Sequence, residues 1–256
     1  MTHLLLTLEL LFGAMTLLWG VSTVLKDVSI VDIFWGPGFA LVAWIMAART
    51  PAFDLREGAV LFLVSCWALR LGGHILLRKL KEPHEDHRYG AMRIKQGTAF
   101  WWKSLFMVFW LQALLLWLIS WPLQAAFLSK TPFNWLDSIG VTLSAVGIAL
   151  EAIADFQLTR FKSQSGYKDR VLDSGVWAWS RHPNYFGNFI MWWGFYLIGL
   201  AGAGPWWTIF SPVVMSALLI HYSGAGLMEE TITSRRPGYA DYMRRTSMFV
   251  PWPRKI

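Results

Sequence analysis

The sequence carries little charge. Only 15% of its 256 residues are charged, whereas 55% are hydrophobic and the mean hydropathy is +0.40. Such a composition excludes an ordinary soluble domain. Cysteine is scarcer still. Cys66 is the one cysteine in the sequence, so an intrachain disulfide is excluded. Its place in an apolar run predicts a small core residue, and the lack of repeats or low-complexity linkers predicts one domain over residues 1–256.

Long apolar runs dominate what is present. A hydrocarbon core needs about 20 apolar residues per helix, and seven runs are of that length: Leu4–Leu25, Ser29–Ala48, Gly58–Leu77, Phe100–Phe127, Trp135–Thr159, Pro183–Ala203 and Trp206–Met228. The first run lacks a basic n-region and a cleavage site, so we expect it to be a retained helix. The sequence therefore predicts an all-α, polytopic membrane protein with seven transmembrane helices.

The basic residues predict an orientation. Of the 23 Lys and Arg residues, 19 fall on one side of the predicted spans, in the turn at Lys26, the segments 78–103 and 160–181, and the tail. Because short cytoplasmic loops collect basic residues, we expect the N-terminus outside and the C-terminus in the cytoplasm. The long segments Lys79–Trp102 and Phe161–His182 are then expected to be cytoplasmic loops that fold over the bundle mouth.

Ionisable residues inside the apolar runs mark candidate sites, since charge in a membrane is costly. Among them are Asp32 in the second run, Glu151 and Asp155 in the fifth, and the stripe Arg70, His74 and Arg78, which begins in the third run and ends just after it. Two interpretations stay open. These residues form interhelical ion pairs, for example Asp32 with Arg70, or they line a cavity that opens to the cytoplasm.

The stretch SRHPNYFG, residues 180–187, places a polar cluster at the start of the sixth run. Pro183 favours a helix start, and the first turn of a helix offers free N–H groups to an anion. No G-x-G-x-x-G motif is present, so a dinucleotide would be held by loop side chains rather than by a Rossmann site. His84 and His87 lack a convincing third ligand, so no metal site is predicted. No groove-reading motif for nucleic acid is present either.

Several motifs resemble one family. SGVWAWSRHPNYFGNFIMWWG, EETITSRRPGYADYMRRTSMFVPW, VDIFWGPGF and RLGGHILLRKLKEPHEDHRYGAMR are similar to segments of the integral-membrane steroid 5α-reductases and their bacterial relatives of the DUF1295 type. The resemblance implies reduction of a carbon–carbon double bond conjugated to a ketone, with NADPH as cofactor and a steroid-like, lipophilic enone that arrives through membrane lipid. It also favours a bacterial inner membrane, and it puts the cofactor-binding half at about residues 135–256.

The same resemblance implies roles for individual residues. Cofactor contacts are expected from Asp155, Lys162, Arg170, Arg181, His182, Asn184, Tyr185, Asp86, Arg88, Glu230, Tyr239, Tyr242 and Arg245. Trp35, Phe39 and Asn188 are expected to contact substrate. Asp32 corresponds to the family's acid on helix two, which serves the carbonyl oxygen together with a tyrosine on helix three. That tyrosine has no unique counterpart here: Trp67, His74 and Tyr89 are all candidates, and His74 and Tyr89 join Asp32 as the predicted catalytic residues.

Two positions depart from the family pattern. Glu151 stands where the mammalian reductases are expected to have asparagine, and Asn188 stands where the family usually has glutamate, as in NYFGE. An asparagine keeps a polar group at that depth but supplies no titratable proton.

Two alternatives stay open. Membrane S-adenosylmethionine-dependent methyltransferases of the isoprenylcysteine and phospholipid type share RHPxYxG, a following helix and an acidic pair before a tyrosine-rich tail. A non-catalytic lipid-binding or transport protein would explain an apolar slot, but not the dense polar set on three cytoplasmic segments.

Overall fold

The computed structural model describes residues 2–51, 54–129, 131–222, 236 and 238–254. This part of the chain is helical, and its only strand-like pairing is an isolated bridge between Ser180 and Ser247. The helices are α1 Thr2–Leu25, α2 Val31–Ala48, α3 Leu55–Lys81, α4 His87–Gln96, α5 Phe100–Ser104, α6 Leu111–Ile119, α7 Trp121–Phe127, α8 Trp135–Lys162, α9 Pro183–Ala201, α10 Phe210–Ala217 and α11 Tyr239–Arg245. The predicted all-α class is confirmed.

Within the described residues, five helical stretches are long and apolar enough to cross a membrane. They are His3–Leu25, Val28–Ala48, Leu55–Lys81, His87–Ile119 and Trp135–Lys162. They make the chain a multi-pass membrane protein and match the first five predicted spans. The sixth predicted span forms α9, whose many Trp, Tyr and Asn residues lower its hydropathy. The seventh is represented by a shorter apolar helix, Trp206–His221, and its predicted end at Met228 lies outside the described residues.

The chain divides into two compact units. Unit 1 comprises residues 1–133 and 199–205, and unit 2 comprises residues 134–198 and 206–256. The division after Phe133 falls next to the predicted start of the cofactor-binding half. A capping box fixes this point, because the Asn134 side chain accepts from the Leu136 N–H while the Asp137 carboxylate accepts from the Asn134 N–H. Reciprocal capping of this kind favours a helix start.

Unit 1 is organised by a close contact between α2 and α3. A Cβ atom on Gly36 would lie 3.2 Å from the Cα of Ala68, and one on Gly72 would lie 3.1 Å from the Pro37 ring. Small residues let membrane helices approach this closely. Pro37 inside α2 also removes one backbone donor, which membrane helices tolerate where neighbouring helices compensate.

The segment before the fourth span folds back on itself. Gly97 has φ +57° and ends α4, a conformation that glycine adopts readily. Tyr89 and Gln112 are 23 residues apart, about 35 Å along a straight helix, yet their side chains are 3.2 Å apart. The stretch His87–Ile119 is therefore not one straight rod. The expectation of a loop over Lys79–Trp102 was wrong, because most of that segment is helical.

Unit 2 is built on an antiparallel contact between α8 and α9. A Cβ atom on Gly147 would lie 2.4 Å from the Gly187 carbonyl oxygen, and one on Gly140 would lie 2.7 Å from the Gly194 carbonyl oxygen. The Ser144 hydroxyl donates to the Met191 carbonyl at 3.2 Å. The backbones of α8 and α9 are therefore in contact between Gly140 and Gly147. This contact brings the polar residues at the C-terminal end of α8 and the N-terminal end of α9 together.

One sequence-based expectation about packing was wrong. Cys66 is exposed on the surface of α3 and is not a core residue. The core positions next to it are Val64 and Trp67, which have no exposed surface.

Candidate functional sites in the two units

The polar centre of unit 1 joins α2 to α4. The Tyr89 hydroxyl donates to Oδ1 of Asp32 at 2.7 Å, and Nη2 of Arg88 donates to Oδ2 of Asp32 at 2.8 Å. Tyr89 is only 6% exposed, whereas the Asp32 side chain keeps 21% of its surface. Both carboxylate oxygens of Asp32 are therefore used. Their hydrogen bonds come from Arg88 and Tyr89, whereas Arg70 was the partner expected for an interhelical ion pair.

Gln112 completes this centre. Its Nε2 donates to the Tyr89 hydroxyl at 3.2 Å, so that oxygen accepts one bond and donates another. Gln112 was not among the predicted site residues, although a polar residue inside the run Phe100–Phe127 was a usable signal. It lies just after a π-helical segment, Leu105–Trp110, and single π-turns of this kind are frequent at functional sites.

Asp86 fixes the start of α4 and orients Arg88. Its Oδ1 accepts from the Arg88 backbone N–H at 3.0 Å and from Nε of the same side chain at 2.9 Å. Burial alone would raise the pKa of the Asp86 carboxyl, but the Arg88 hydrogen bonds hold that pKa below its ordinary value. Asp86 and Arg88 were predicted to contact the cofactor; the structure places them beside Asp32 in unit 1.

A second ion-pair cluster lies beside the α1–α2 turn. Glu85 accepts from the Val28 N–H at 2.9 Å and from the Arg93 guanidinium at 2.7 and 2.9 Å. Lys79 pairs with Asp27 in the same region. Burial opposes ionisation here as well, yet the cationic partners lower the pKa values of the Glu85 and Asp27 carboxyls. This cluster anchors the helix ends.

The polar centre of unit 2 consists of two side-chain hydrogen bonds between α8 and α9. Nδ2 of Asn188 donates to Oε2 of Glu151 at 3.2 Å, and Nδ2 of Asn184 donates to Oδ1 of Asp155 at 3.2 Å. All four sit at four-residue spacing on their helices, so each helix presents one polar face to the other. Glu151, Asp155 and Asn188 are buried, with 4%, 7% and 6% of their surfaces exposed.

The start of α9 lies at Pro183, as predicted. The Asn184 side-chain oxygen accepts from the Tyr185 N–H at 3.0 Å, and the His182 ring stacks on the Tyr185 ring at 5.7 Å. The turn before it is tied by the Ser180 hydroxyl, which accepts from the His182 N–H at 3.1 Å.

Arg181 and Tyr242 hold the C-terminal segment. The Arg181 guanidinium donates to the carbonyl oxygens of Met243 at 2.7 Å and Thr246 at 3.3 Å, at the end of α11. The Tyr242 hydroxyl donates to the Trp177 carbonyl at 2.6 Å. Burial raises the pKa of the Tyr242 phenol, so that it stays a donor. Both were predicted as cofactor contacts, whereas their observed bonds go to the backbone.

The other predicted residues are distributed over both units. His74 and Trp35 are half-buried in unit 1, and Lys162, Arg170 and Arg245 are exposed in unit 2, where Tyr239 is buried against Tyr242. Phe39 has no exposed surface and packs against Trp35 and Trp67, so its observed place is in the core. Asn188 likewise faces Glu151 rather than an open slot. Glu230 lies outside the described residues.

The fold and these sites define a helical multi-pass membrane protein. The chain belongs to the family described as "Protein of unknown function (DUF1295)", whose model matches residues 18–246. Among curated proteins, it is similar to "Uncharacterized protein C594.04c" of Schizosaccharomyces pombe, with 26% identity over 269 positions that cover 91% of this chain and 75% of the relative. No solved structure shows significant similarity.

Proposed function

We propose that this protein is a membrane oxidoreductase that uses NADPH to reduce the carbon–carbon double bond of a lipophilic enone, such as a 3-oxo-Δ4 steroid. The observation that carries the proposal is the hydrogen bond from Tyr89 to Asp32. The resemblance to steroid 5α-reductases calls for an acid on the second helix next to a tyrosine. Of the three candidates for that tyrosine, Tyr89 contacts Asp32 in the structure, while Trp67 is a core residue.

The chemistry requires a donor at the carbonyl oxygen. When a hydride adds to the β carbon of an enone, negative charge grows on that oxygen, and a positioned donor stabilises it. Because Asp32 accepts from both Arg88 and Tyr89, we propose that the proton comes from the Tyr89 hydroxyl, whose hydrogen turns from Oδ1 of Asp32 to the carbonyl oxygen of the bound enone. The Gln112 amide N–H and the Arg88 guanidinium, 5.4 Å from the Tyr89 ring centroid, offset part of the cost of leaving a phenolate beside the Asp32 carboxylate.

Atoms and electrons balance in this scheme. The β carbon gains the hydride and the oxygen gains the Tyr89 proton. The resulting enol returns to a ketone as its α carbon takes a proton from water and its hydroxyl releases its proton to water. Tyr89 then recovers a proton from solvent through the partly exposed Asp32 carboxylate. The net change is the gain of one hydride and one proton by the substrate.

The polar residues of unit 2 fit a dinucleotide. Bound NADPH would supply the hydride. The Asp155 carboxylate has the chemistry to accept ribose hydroxyls, and Asn184 lies beside it with both a donor and an acceptor. Lys162 and Arg170 are exposed near the end of α8, where their charges would meet phosphate groups. Arg181 and Tyr242 are not in this set because Nη1 of Arg181 and the Tyr242 hydroxyl donate to backbone carbonyls.

Ligand-dependent thermal stability tests the cofactor. The detergent-solubilised protein is heated with NADPH, NADP, NADH or S-adenosylmethionine, and a ligand at 100 times its dissociation constant adds about 2.7 kcal/mol. We expect stabilisation by NADPH and NADP. Stabilisation by S-adenosylmethionine alone would favour the methyltransferase alternative, and no stabilisation by any of the four would favour a lipid-binding or transport protein. Loss of NADPH absorbance with testosterone or progesterone then tests the reaction.

A further inference from the structure

An apolar groove lies in unit 1 on the side of α2 that does not carry Asp32. It has a volume of about 620 Å³, within the ~300–1,000 Å³ range of small-molecule sites. One wall is the stripe Ile33, Phe34 and Pro37 of α2 together with Ile30 in the turn just before it. At 3.6 residues per turn, Asp32 points about 150° away from the middle of this stripe. The groove is therefore distinct from the proposed reaction centre.

The groove is open at its rim. Leu25 of α1 is 60% exposed, and Leu76 and Leu80 of α3 are 43% and 69% exposed. All three line it, and all three belong to helices or helix ends that cross the membrane. In a bilayer such a surface faces acyl chains rather than water, so the apolar part of a ligand enters from the lipid.

One end of the groove is polar, and its charges are already paired. Nζ of Lys79 contacts the Asp27 carboxylate, the Ser29 hydroxyl at 3.0 Å and the His84 carbonyl oxygen at 2.5 Å. An ammonium group has three hydrogens, so all of them have acceptors. Among the groove-lining residues, Lys79 and Asp27 are the ionisable ones, and together they carry no net charge.

The Lys79–Asp27 ion pair determines which head group a ligand can place at this end of the groove. A carboxylate or phosphate would have to break the Lys79–Asp27 pair, and breaking a partly buried pair leaves one charge without compensation. A hydroxyl needs no such change, because the Asp27 carboxylate can accept a further hydrogen bond. The polar end thus suits an uncharged head that donates a hydrogen bond.

We propose that this groove binds a neutral, long-chain lipid with a hydroxyl head, its apolar chain lying along α1, α2 and α3 and its head at the Asp27–Lys79 pair. The site is independent of the proposed reductase reaction. It would give the protein a lipid-binding site that discriminates by head-group charge.

Photo-crosslinking tests the site. The full-length protein in phosphatidylcholine nanodiscs is irradiated with a monoacylglycerol whose chain carries a diazirine, or with the fatty acid of the same chain, and adducts are mapped by peptide mass spectrometry. We expect the monoacylglycerol to label the α1, α2 and α3 segments of the groove in preference to the fatty acid. Equal labelling by both heads would mean unselective bilayer lipid and would overturn the proposal.

Three variants sharpen the test. Ile33→Trp fills the groove and should reduce monoacylglycerol labelling about tenfold, the factor that corresponds to ~1.4 kcal/mol. Leu76→Trp at the rim gives a second filling variant should Ile33→Trp not fold. Leu69→Trp is the matched control, since Leu69 is on α3, 77% exposed and outside the groove lining. Unchanged labelling in a folded filling variant would contradict the site.

Asp27→Asn tests the charge argument. Asparagine is as good an N-cap as aspartate, so the turn that begins at Val28 is retained. The variant leaves the Lys79 ammonium without its carboxylate, and the preference should shift from the monoacylglycerol to the fatty acid. An unchanged preference would show that the ion pair does not select the head.

Discussion

The Tyr89 hydroxyl lies 2.7 Å from Oδ1 of Asp32, although the two residues are 57 positions apart in the chain. The contact exists because α4 turns back at Gly97 and presents Tyr89 to the start of α2. It joins a phenol to a carboxylate that Arg88 keeps paired.

Tyr89→Phe keeps the ring and removes the hydroxyl. Under the proposed function, enone-dependent oxidation of NADPH should fall by about 10²–10⁴, the usual contribution of a positioned acid, while stabilisation by NADPH is retained. Tyr167→Phe is the matched control, because Tyr167 interacts through its ring with Phe161 and Arg236. Full activity of Tyr89→Phe would place the proton donor elsewhere.

Asp155→Asn tests the cofactor set in unit 2. The amide keeps the size of the side chain but loses the negative charge that favours ribose hydroxyls, so thermal stabilisation by NADPH should fall well below that of the parent protein. The same melts without ligand separate a folding defect from a binding defect. Asn184→Ala should also lower the stabilisation by NADPH. If NADPH stabilised both variants as much as it stabilises the parent protein, this assignment would be wrong.

The hydrogen bond between Asn188 and Glu151 joins the two positions at which this chain differs from the pattern expected of steroid 5α-reductases. The reductases are expected to have asparagine and glutamate at these positions, and this chain has them exchanged, still within hydrogen-bond distance. Glu151→Asn puts two amides together and Asn188→Glu puts two carboxylates together, so each should cost about 1–3 kcal/mol of stability.

The double variant restores one carboxylate and one amide. It should therefore be more stable than the sum of the single changes predicts, which thermal unfolding as a double-mutant cycle measures. Simple additivity would mean that the two side chains do not depend on each other.

Arg181→Met tests the anchoring of the C-terminal segment. The change leaves the Met243 and Thr246 carbonyls without their shared donor, at a cost of about 1–3 kcal/mol. Hydrogen exchange should accelerate at Trp252, whose N–H bonds to the Trp179 carbonyl. Arg245→Met is the control, since Arg245 is exposed; equal exchange in both variants would argue against an anchor.

Acid should weaken the ion pairs at the α1–α2 turn and at the start of α4. The pKa values of Asp27, Glu85 and Asp86 are lowered in the folded protein, so folding favours their ionised forms. Their stabilisation is complete above the unfolded pKa values, about 4, and is lost as the pH falls through the lower folded values. Thermal melts from neutral pH to about pH 3 should show this loss.

Glu85→Gln is the variant for that pH series. It should lower stability at neutral pH and make the acid-dependent fall smaller, because one of the three carboxylates no longer titrates. Asp169→Asn, an exposed residue in unit 2, provides the control. An acid profile that Glu85→Gln leaves unchanged would exclude this carboxylate as a contributor.

Periodicity and composition were sufficient to predict the helical class and the first five spans, because an apolar run of membrane length has few other structures open to it. The four-residue spacing of Glu151 and Asp155 likewise predicted a shared face, which α9 now covers. The start of α9 followed from Pro183 alone.

Long-range contacts were beyond such reasoning. Whether Trp67, His74 or Tyr89 contacts Asp32 depends on the chain reversal at Gly97. A single glycine in a charged segment is not enough to predict such a reversal. Gln112 is recognisable as a polar residue in an apolar run, but its contact with Tyr89 exists only after α4 has folded back. Arg181 looked like an anion ligand by its residue type, yet its Nη1 donates to the carbonyls at the end of α11. Side-chain chemistry sets what a residue can bind, and the fold decides which partner reaches it first.

The exposed position of Cys66 has a practical consequence. Since the chain contains no other cysteine and Cys66 lies on the surface of a membrane-spanning helix, a thiol-reactive spin label or fluorophore attaches at one defined place without any substitution. Paramagnetic relaxation from lipid-soluble oxygen and from water-soluble nickel chelates would then report how deep α3 sits in the bilayer.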